Sequence, residues 1–194
     1  MELKITEKKG AVIPKEFIGL FIEDINYAID GGLYAELLEN RNFESLDVYG
    51  KENDYYVVQD GLYVWSAYPG ESSVTLAVVQ GSPVNTKNPH YLRVTAKEAG
   101  CGFANRAYDG IYMRANVAYK VSFYARKTGY EGKLCVTIRK DGQSVVTKEL
   151  VLAEADASGW NQWNKYEFQL KAEEEVAGAQ FVVLLENAGT VEFD

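Results

Sequence analysis

From about residue 46 onward, apolar side chains recur at every second position in short runs separated by turn residues, and that period decides the fold class. Val74, Leu76 and Val78 alternate with Ser73, Thr75 and Ala77, and Leu92 and Val94 alternate with Tyr91, Arg93 and Thr95. Tyr119, Val121, Phe123 and Ala125 are interleaved with Lys120, Ser122, Tyr124 and Arg126. Leu134, Val136 and Ile138 run into Lys140-Asp141-Gly142, a strong hairpin signal, and the pattern resumes at Val145. Tyr166, Phe168 and Leu170 alternate again, and Phe181 to Leu185 is a continuous apolar run. A helix cannot gather a period-two pattern on one face, so this region reads as an antiparallel β-sandwich or jelly roll. Ala172 to Ala179 reads as a loop rather than a helical turn.

Residues 1 to 45 follow different rules. Phe17 to Ile25 is a near-continuous apolar run closing on acidic residues, the pattern of a strand buried on both faces. Asp30-Gly31-Gly32 signals a turn, and Leu33 to Asn40 repeats its apolar residues at helical spacing, with Asp30 placed to cap it. Strand, acidic loop and helix make one β/α unit that has nothing to pack its other face against. The expected division is therefore 1–45 and 46–194. Val191 to Asp194 alternates like a strand in progress, which makes the chain read as a fragment.

Composition removes several function classes. The hydrophobic fraction is 47% and the aromatic fraction 13%, enough for a real core and against disorder. The net charge is -8 with no stripe of Lys and Arg, which excludes nucleic acid as a partner. No segment approaches a membrane span, and MELKITEKKG carries no apolar leader, so no membrane partner is expected. The location expected is cytoplasmic, or extracellular if an export signal has been removed. Cys101 and Cys135 lack metal-type spacing and read as two reduced core cysteines, with a disulfide between them as the alternative. His90, the only histidine, has no Ser or Cys partner placed around it and reads as a surface residue.

The stretch Phe17 to Glu44, FIGLFIEDINYAIDGGLYAELLENRNFE, closely resembles the opening of family 51 α-L-arabinofuranosidases. The later part resembles an insert found in one branch of that family, related to family 4, 9 and 22 carbohydrate-binding modules. Its landmarks are Trp65-Ser66, Pro83 to Leu92, Asn105 to Ile111, Tyr119 to Arg126 and Val191 to Asp194. The resemblance implies a chain that is mainly β, a jelly-roll sandwich preceded by the first strand and helix of a TIM barrel. It also implies an enzyme that hydrolyses terminal α-L-arabinofuranosides of arabinan or arabinoxylan without a cofactor. Retaining hydrolysis needs two carboxylates about 5 Å apart, and the resemblance places both glutamates beyond Asp194, so the fragment alone is not expected to be an enzyme. Its partners would be an arabinose-containing polysaccharide or oligosaccharide and the rest of its own barrel.

Candidate residues follow from the same resemblance. Glu23, at the end of its strand, and Asn26 would contact arabinofuranose in the intact enzyme, as barrel sites sit at strand C-termini. Glu44 and Asp194 would help hold a structural calcium, a hard cation that takes carboxylate and carbonyl oxygens; the bland alternative is that Glu44 serves the helix end. Among aromatics, which offer flat faces to sugar C–H groups, Tyr108 with its neighbour Asp109, Tyr112 and Trp160 are the carbohydrate-binding candidates. Trp65 and Trp163 are expected in the core. A competing expectation is a structural sandwich with no sugar affinity, shaping the active-site entrance or oligomer contacts.

Overall fold

Alternation becomes pairing in a computed structural model that describes residues 36–46, 48–49, 57–58, 60–127, 129–153 and 163–194. These residues contain thirteen strands and no helix. In chain order they are β1 (Val48–Tyr49), β2 (Val57–Val58), β3 (Trp65–Tyr68), β4 (Val74–Asn85), β5 (Asn88–Ala96), β6 (Cys101–Asn105) and β7 (Ile111–Met113). There follow β8 (Ala118–Lys127), β9 (Lys133–Lys140), β10 (Gln143–Val151), β11 (Asn164–Lys171), β12 (Val176–Leu185) and β13 (Gly189–Phe193). One sheet runs β10-β9-β12-β6-β3, with β7 pairing on β12; the other runs β11-β8-β13-β5-β4. Every strand pair is antiparallel. β1 and β2 form a separate two-stranded ribbon.

The two sheets share one core. Leu92, Val94, Ala125, Val191 and Phe193 come from the five-stranded sheet, and Phe103, Leu134, Val136, Val183 and Leu185 face them from the other. These are the inward members of the period-two runs, so the sequence pattern and the packing agree. The hairpin expected at Lys140-Asp141-Gly142 is the β9–β10 turn, where Asp141 and Gly142 both take positive φ as a two-residue hairpin requires. Cys101 and Cys135 are both free thiols; Cys101 is buried, whereas Cys135 sits half-buried on the outward side of β9.

The lead-in to the sandwich departs from expectation. The described part of the expected helix, residues 36–40, is irregular chain entering a turn. Helical spacing loses there to tertiary contacts. Asn40, at φ 46°, donates from Nδ2 to the carbonyls of Gly61 (2.9 Å) and Tyr63 (3.1 Å) and accepts the Ser45 amide on Oδ1. Trp65 Nε1 donates to the Asn40 carbonyl at 2.9 Å, and Asn105 Nδ2 donates to that of Glu39 at 3.0 Å. Phe43 is buried against the Trp65 ring, centroids 5.2 Å apart. The expected strand at Phe17 to Ile25 lies outside the described residues.

Candidate functional site

The outward face of the six-stranded sheet follows from the same alternation. On β9 Cys135, Thr137 and Arg139 point away from the core, and opposite them on β12 stand Leu184, Val182 and Gln180. Next come Gly102 and Ala104 on β6, then Tyr68 and Ser66 on β3. The middle of this face is made of small side chains, and Ala104, Thr137 and Val182 are buried although they point outward. The Arg139 guanidinium carbon lies 5.4 Å from the centroid of the Tyr68 ring. β12 and β6 separate their strands, so the two side chains meet only because the face is curled inward. Small residues beneath them leave the room for that meeting.

Arg139 is only partly satisfied. Its Nη1 donates to Ser144 Oγ at 3.3 Å and its Nη2 to the Gly142 carbonyl. Its Nε is buried and has no hydrogen-bond partner among the described residues. A buried unused donor costs free energy until an acceptor reaches it. The exposed Nη edge of the guanidinium, which lies over the Tyr68 ring, offers donors for hydroxyl oxygens next to an aromatic side chain.

One end of this face opens into a cleft of about 430 Å³ lined by Arg106, Tyr108, Asp109, Gly110, Gly178, Ala179 and Gln180, within the usual range for small ligands. The loop before β7 is held from below. Asn105 Oδ1 accepts the Ala107 amide at 2.8 Å, and Gly110, at φ 84°, packs so close to Gly178 that a Cβ would lie 2.4 Å from its Cα. Tyr108 is thereby presented at 56% exposure. Gln180 belongs both to the cleft and to the row of Arg139, which joins the cleft to the curled face.

The structure brings Tyr108 and Asp109 onto this one cleft. Tyr112 is exposed on β7 outside its lining, and its hydroxyl pKa is raised, first by partial desolvation and then by the Glu175 carboxylate. Glu23, Asn26 and Trp160 lie outside the described residues. A larger cleft of about 520 Å³ lies against Leu46, Leu62, Leu76 and Val78, with Asp60, Gln80 and His90, but it has no aromatic platform.

Glu44 and Asp194 come near each other. Glu44 accepts the His90 amide on Oε1 at 3.0 Å and meets His90 Nδ1 through Oε2 at 2.5 Å. The Asp194 carboxyl pKa is raised by burial, with a smaller push from Glu44, against the Val84 backbone hydrogen bond that lowers it. His90 is thus a buried partner of Glu44 and not the expected surface residue. It shares the inward parity of Leu92 and Val94 on β5.

Trp65 is in the core as expected, but Trp163 is not. Trp163 stands half-buried on the outward side of the five-stranded sheet, edge-on to Tyr91 at 5.2 Å. Its position before β11 has the parity of Lys165 and Glu167, opposite to that of Tyr166 and Phe168. Tyr68 and Arg139 were not singled out from sequence; their outward parity was readable, their meeting across two strands was not.

Comparison with known proteins agrees with this architecture. Residues 35–190 match the Carbohydrate binding domain family CBM_4_9. Alpha-L-arabinofuranosidase 2 of Arabidopsis thaliana is 30% identical over 94% of this chain and 26% of its own length. The extracellular exo-alpha-L-arabinofuranosidase of Streptomyces chartreusis is 34% identical over 80% of this chain and 17% of its own. The arabinose-bound α-L-arabinofuranosidase MgGH51 superposes with a TM-score of 0.71 at 26% identity, covering 90% of this chain and 28% of that one. The chain spans about a quarter of the length of the Arabidopsis relatives it matches. With the match running through nearly all of the described sandwich, the chain belongs to the carbohydrate binding domain family.

Proposed function

We propose that this sandwich is the carbohydrate-binding module of an α-L-arabinofuranosidase, and that the curled face of its six-stranded sheet receives an arabinose-bearing glycan. The observation that carries the reading is the Tyr68–Arg139 contact, continuous through Gln180 with the Tyr108 cleft. Family membership and arabinofuranosidase relatives support it. Hydrolysis of terminal α-L-arabinofuranosides is proposed for the rest of such an enzyme, to which Glu23 and Asn26 would lend sugar contacts. Titration calorimetry with arabinan and arabinoxylan oligosaccharides tests the module. Saturable binding is expected, weakened about tenfold by Tyr108→Ala or Arg139→Gln, a change of about 1.4 kcal/mol each. Tyr108 is exposed enough that its loss leaves the fold intact. Absence of heat from demonstrably folded protein would replace this reading with the structural one, an insert shaping an active-site entrance or oligomer contacts.

We also propose that Glu44 and Asp194 hold a structural calcium. Burial first, and the Glu44 charge in smaller part, raise the Asp194 pKa, and a hard cation would offset both. Oxygens of both carboxylates keep lone pairs for it. Among the described residues no three His, Cys, Asp or Glu side chains cluster for a metal, so carbonyl oxygens would complete the shell. Calcium at millimolar concentration is expected to raise the melting temperature by several degrees over chelator-treated protein. Asp194→Asn should remove the rise; equal melting with and without calcium in the parent chain counts against the site.

A further inference from the structure

The outward face of the five-stranded sheet carries a second organised set of side chains. Register places Arg126, Glu192 and Arg93 side by side on β8, β13 and β5. Arg93 directs Nε (2.8 Å) and Nη2 (2.7 Å) at Glu192 Oε1, and Arg126 Nε pairs with Oε2. The Arg126 guanidinium carbon lies 4.8 Å from the Tyr91 ring centroid and 4.4 Å from that of Trp163. Its Nη1 and Trp163 Nε1 both donate to the Ser82 carbonyl, at 3.0 and 2.9 Å. The group is therefore fixed in advance of any ligand.

Farther along the same face the arrangement repeats with lysines. Glu167 on β11 is held by Lys120 Nζ at 2.9 Å and Lys165 Nζ at 3.0 Å, both on Oε1. Tyr124, paired with Lys165 and joined by its main chain to Asp194, stands between the two clusters. In each cluster one carboxylate is shared by two cations, leaving a surplus positive charge, on a chain whose net charge is -8. The outer cations are accessible: the side chains of Arg93, Lys120 and Lys165 are 46%, 68% and 47% exposed. Each lysine has donors beyond the one that meets Glu167.

We propose that this face is a second glycan-binding surface, selective for a polysaccharide that carries carboxylates, a uronate polymer. The surplus cations fit an anion, and a five-stranded face with Tyr124 and Trp163 among the charges fits an extended sugar chain. The inference rests on the reading of this chain as a carbohydrate module but uses the opposite sheet. Family membership favours a glycan over an acidic protein segment.

The test is calorimetric titration of the 194-residue chain with hexagalacturonate, with a neutral arabino-oligosaccharide and a polyglutamate peptide in parallel. Hexagalacturonate is expected to bind in low salt and to weaken as salt rises from about 0.05 to 0.5 M. The Lys120→Gln/Lys165→Gln pair combined with Arg93→Gln should weaken it about tenfold or more, since each exposed charge contributes two- to fivefold. The same substitutions should leave the neutral sugar unaffected, whereas Tyr108→Ala should weaken only the neutral sugar. Uronate binding without neutral binding would uphold this surface and remove the curled-face reading. The proposal is overturned by folded protein that ignores hexagalacturonate, by binding indifferent to the triple substitution, or by polyglutamate bound as tightly.

Discussion

Replacing Trp65 with Ala is expected to remove about 3–5 kcal/mol of stability, the range for emptying a buried aromatic site. Trp65 is 7% exposed and packs between Phe43 and Phe103, ring centroids 5.2 and 5.5 Å away. Its indole N–H also satisfies the Asn40 carbonyl. The substitution therefore opens a cavity and removes one of the two hydrogen bonds the Asn40 carbonyl accepts, leaving it the Phe43 amide at 3.2 Å. Chemical denaturation should show the loss as a shifted midpoint. Trp65→Phe should recover most of it, since the ring returns and only the hydrogen bond stays absent. A loss below about 1 kcal/mol for the alanine variant would mean that residues 36–46 are not seated on the sandwich as described.

The second large effect is expected at Glu192. Glu192→Gln keeps the shape and removes the charge, leaving Arg126 between two rings and Arg93 beside it with no carboxylate. Breaking a fully buried pair costs about 3–5 kcal/mol. Here the Glu192 and Arg126 side chains are nearly enclosed, at 11% and 13% exposure, but Arg93 is half in solvent. About 2–3 kcal/mol is the expected loss. Adding Arg126→Met should restore part of it, because an apolar side chain can fill the slot between Tyr91 and Trp163 without a counter-charge. If Glu192→Gln melts like the parent, the triad is surface decoration and its preorganisation cannot support a ligand.

How far the sequence foretold this molecule depends on the kind of information each feature needs. Strand faces needed only local alternation, and Val74, Leu92, Val94, Ala125 and Leu170 are buried where the pattern put them. The β9–β10 turn needed only Asp141-Gly142. Within Leu33 to Asn40, the described residues 36–40 departed from the helical reading because that spacing competes with contacts to Asn40 from Gly61, Tyr63 and Trp65, twenty or more residues away. Trp163 and His90 were misplaced for a different reason: each lies just outside the run of residues read as alternating, and the parity of the neighbouring strand was not extended to it. Tyr68 and Arg139 belong to a third class. Nothing local encodes how strongly a sheet curls, and that curl makes neighbours of residues on strands with two others between them. In the candidate cleft, Tyr108 and Asp109 were legible because a loop flanked by Asn105 and Gly110 projects what lies between.

The order of strands in the five-stranded sheet bears on how the chain is made. β13, the last strand of the sequence, lies between β8 and β5 and pairs with both. Until it arrives, the β4–β5 hairpin and the β8–β11 pair are two separate halves with no strand-to-strand backbone pairing between them. A ribosome therefore releases nearly the whole domain before the sheet can close, and closure joins residues almost a hundred positions apart. Such late, long-range pairing is slow, and the halves expose their inner edges meanwhile. The strand that carries Glu192 is thus also the keystone of assembly, set last.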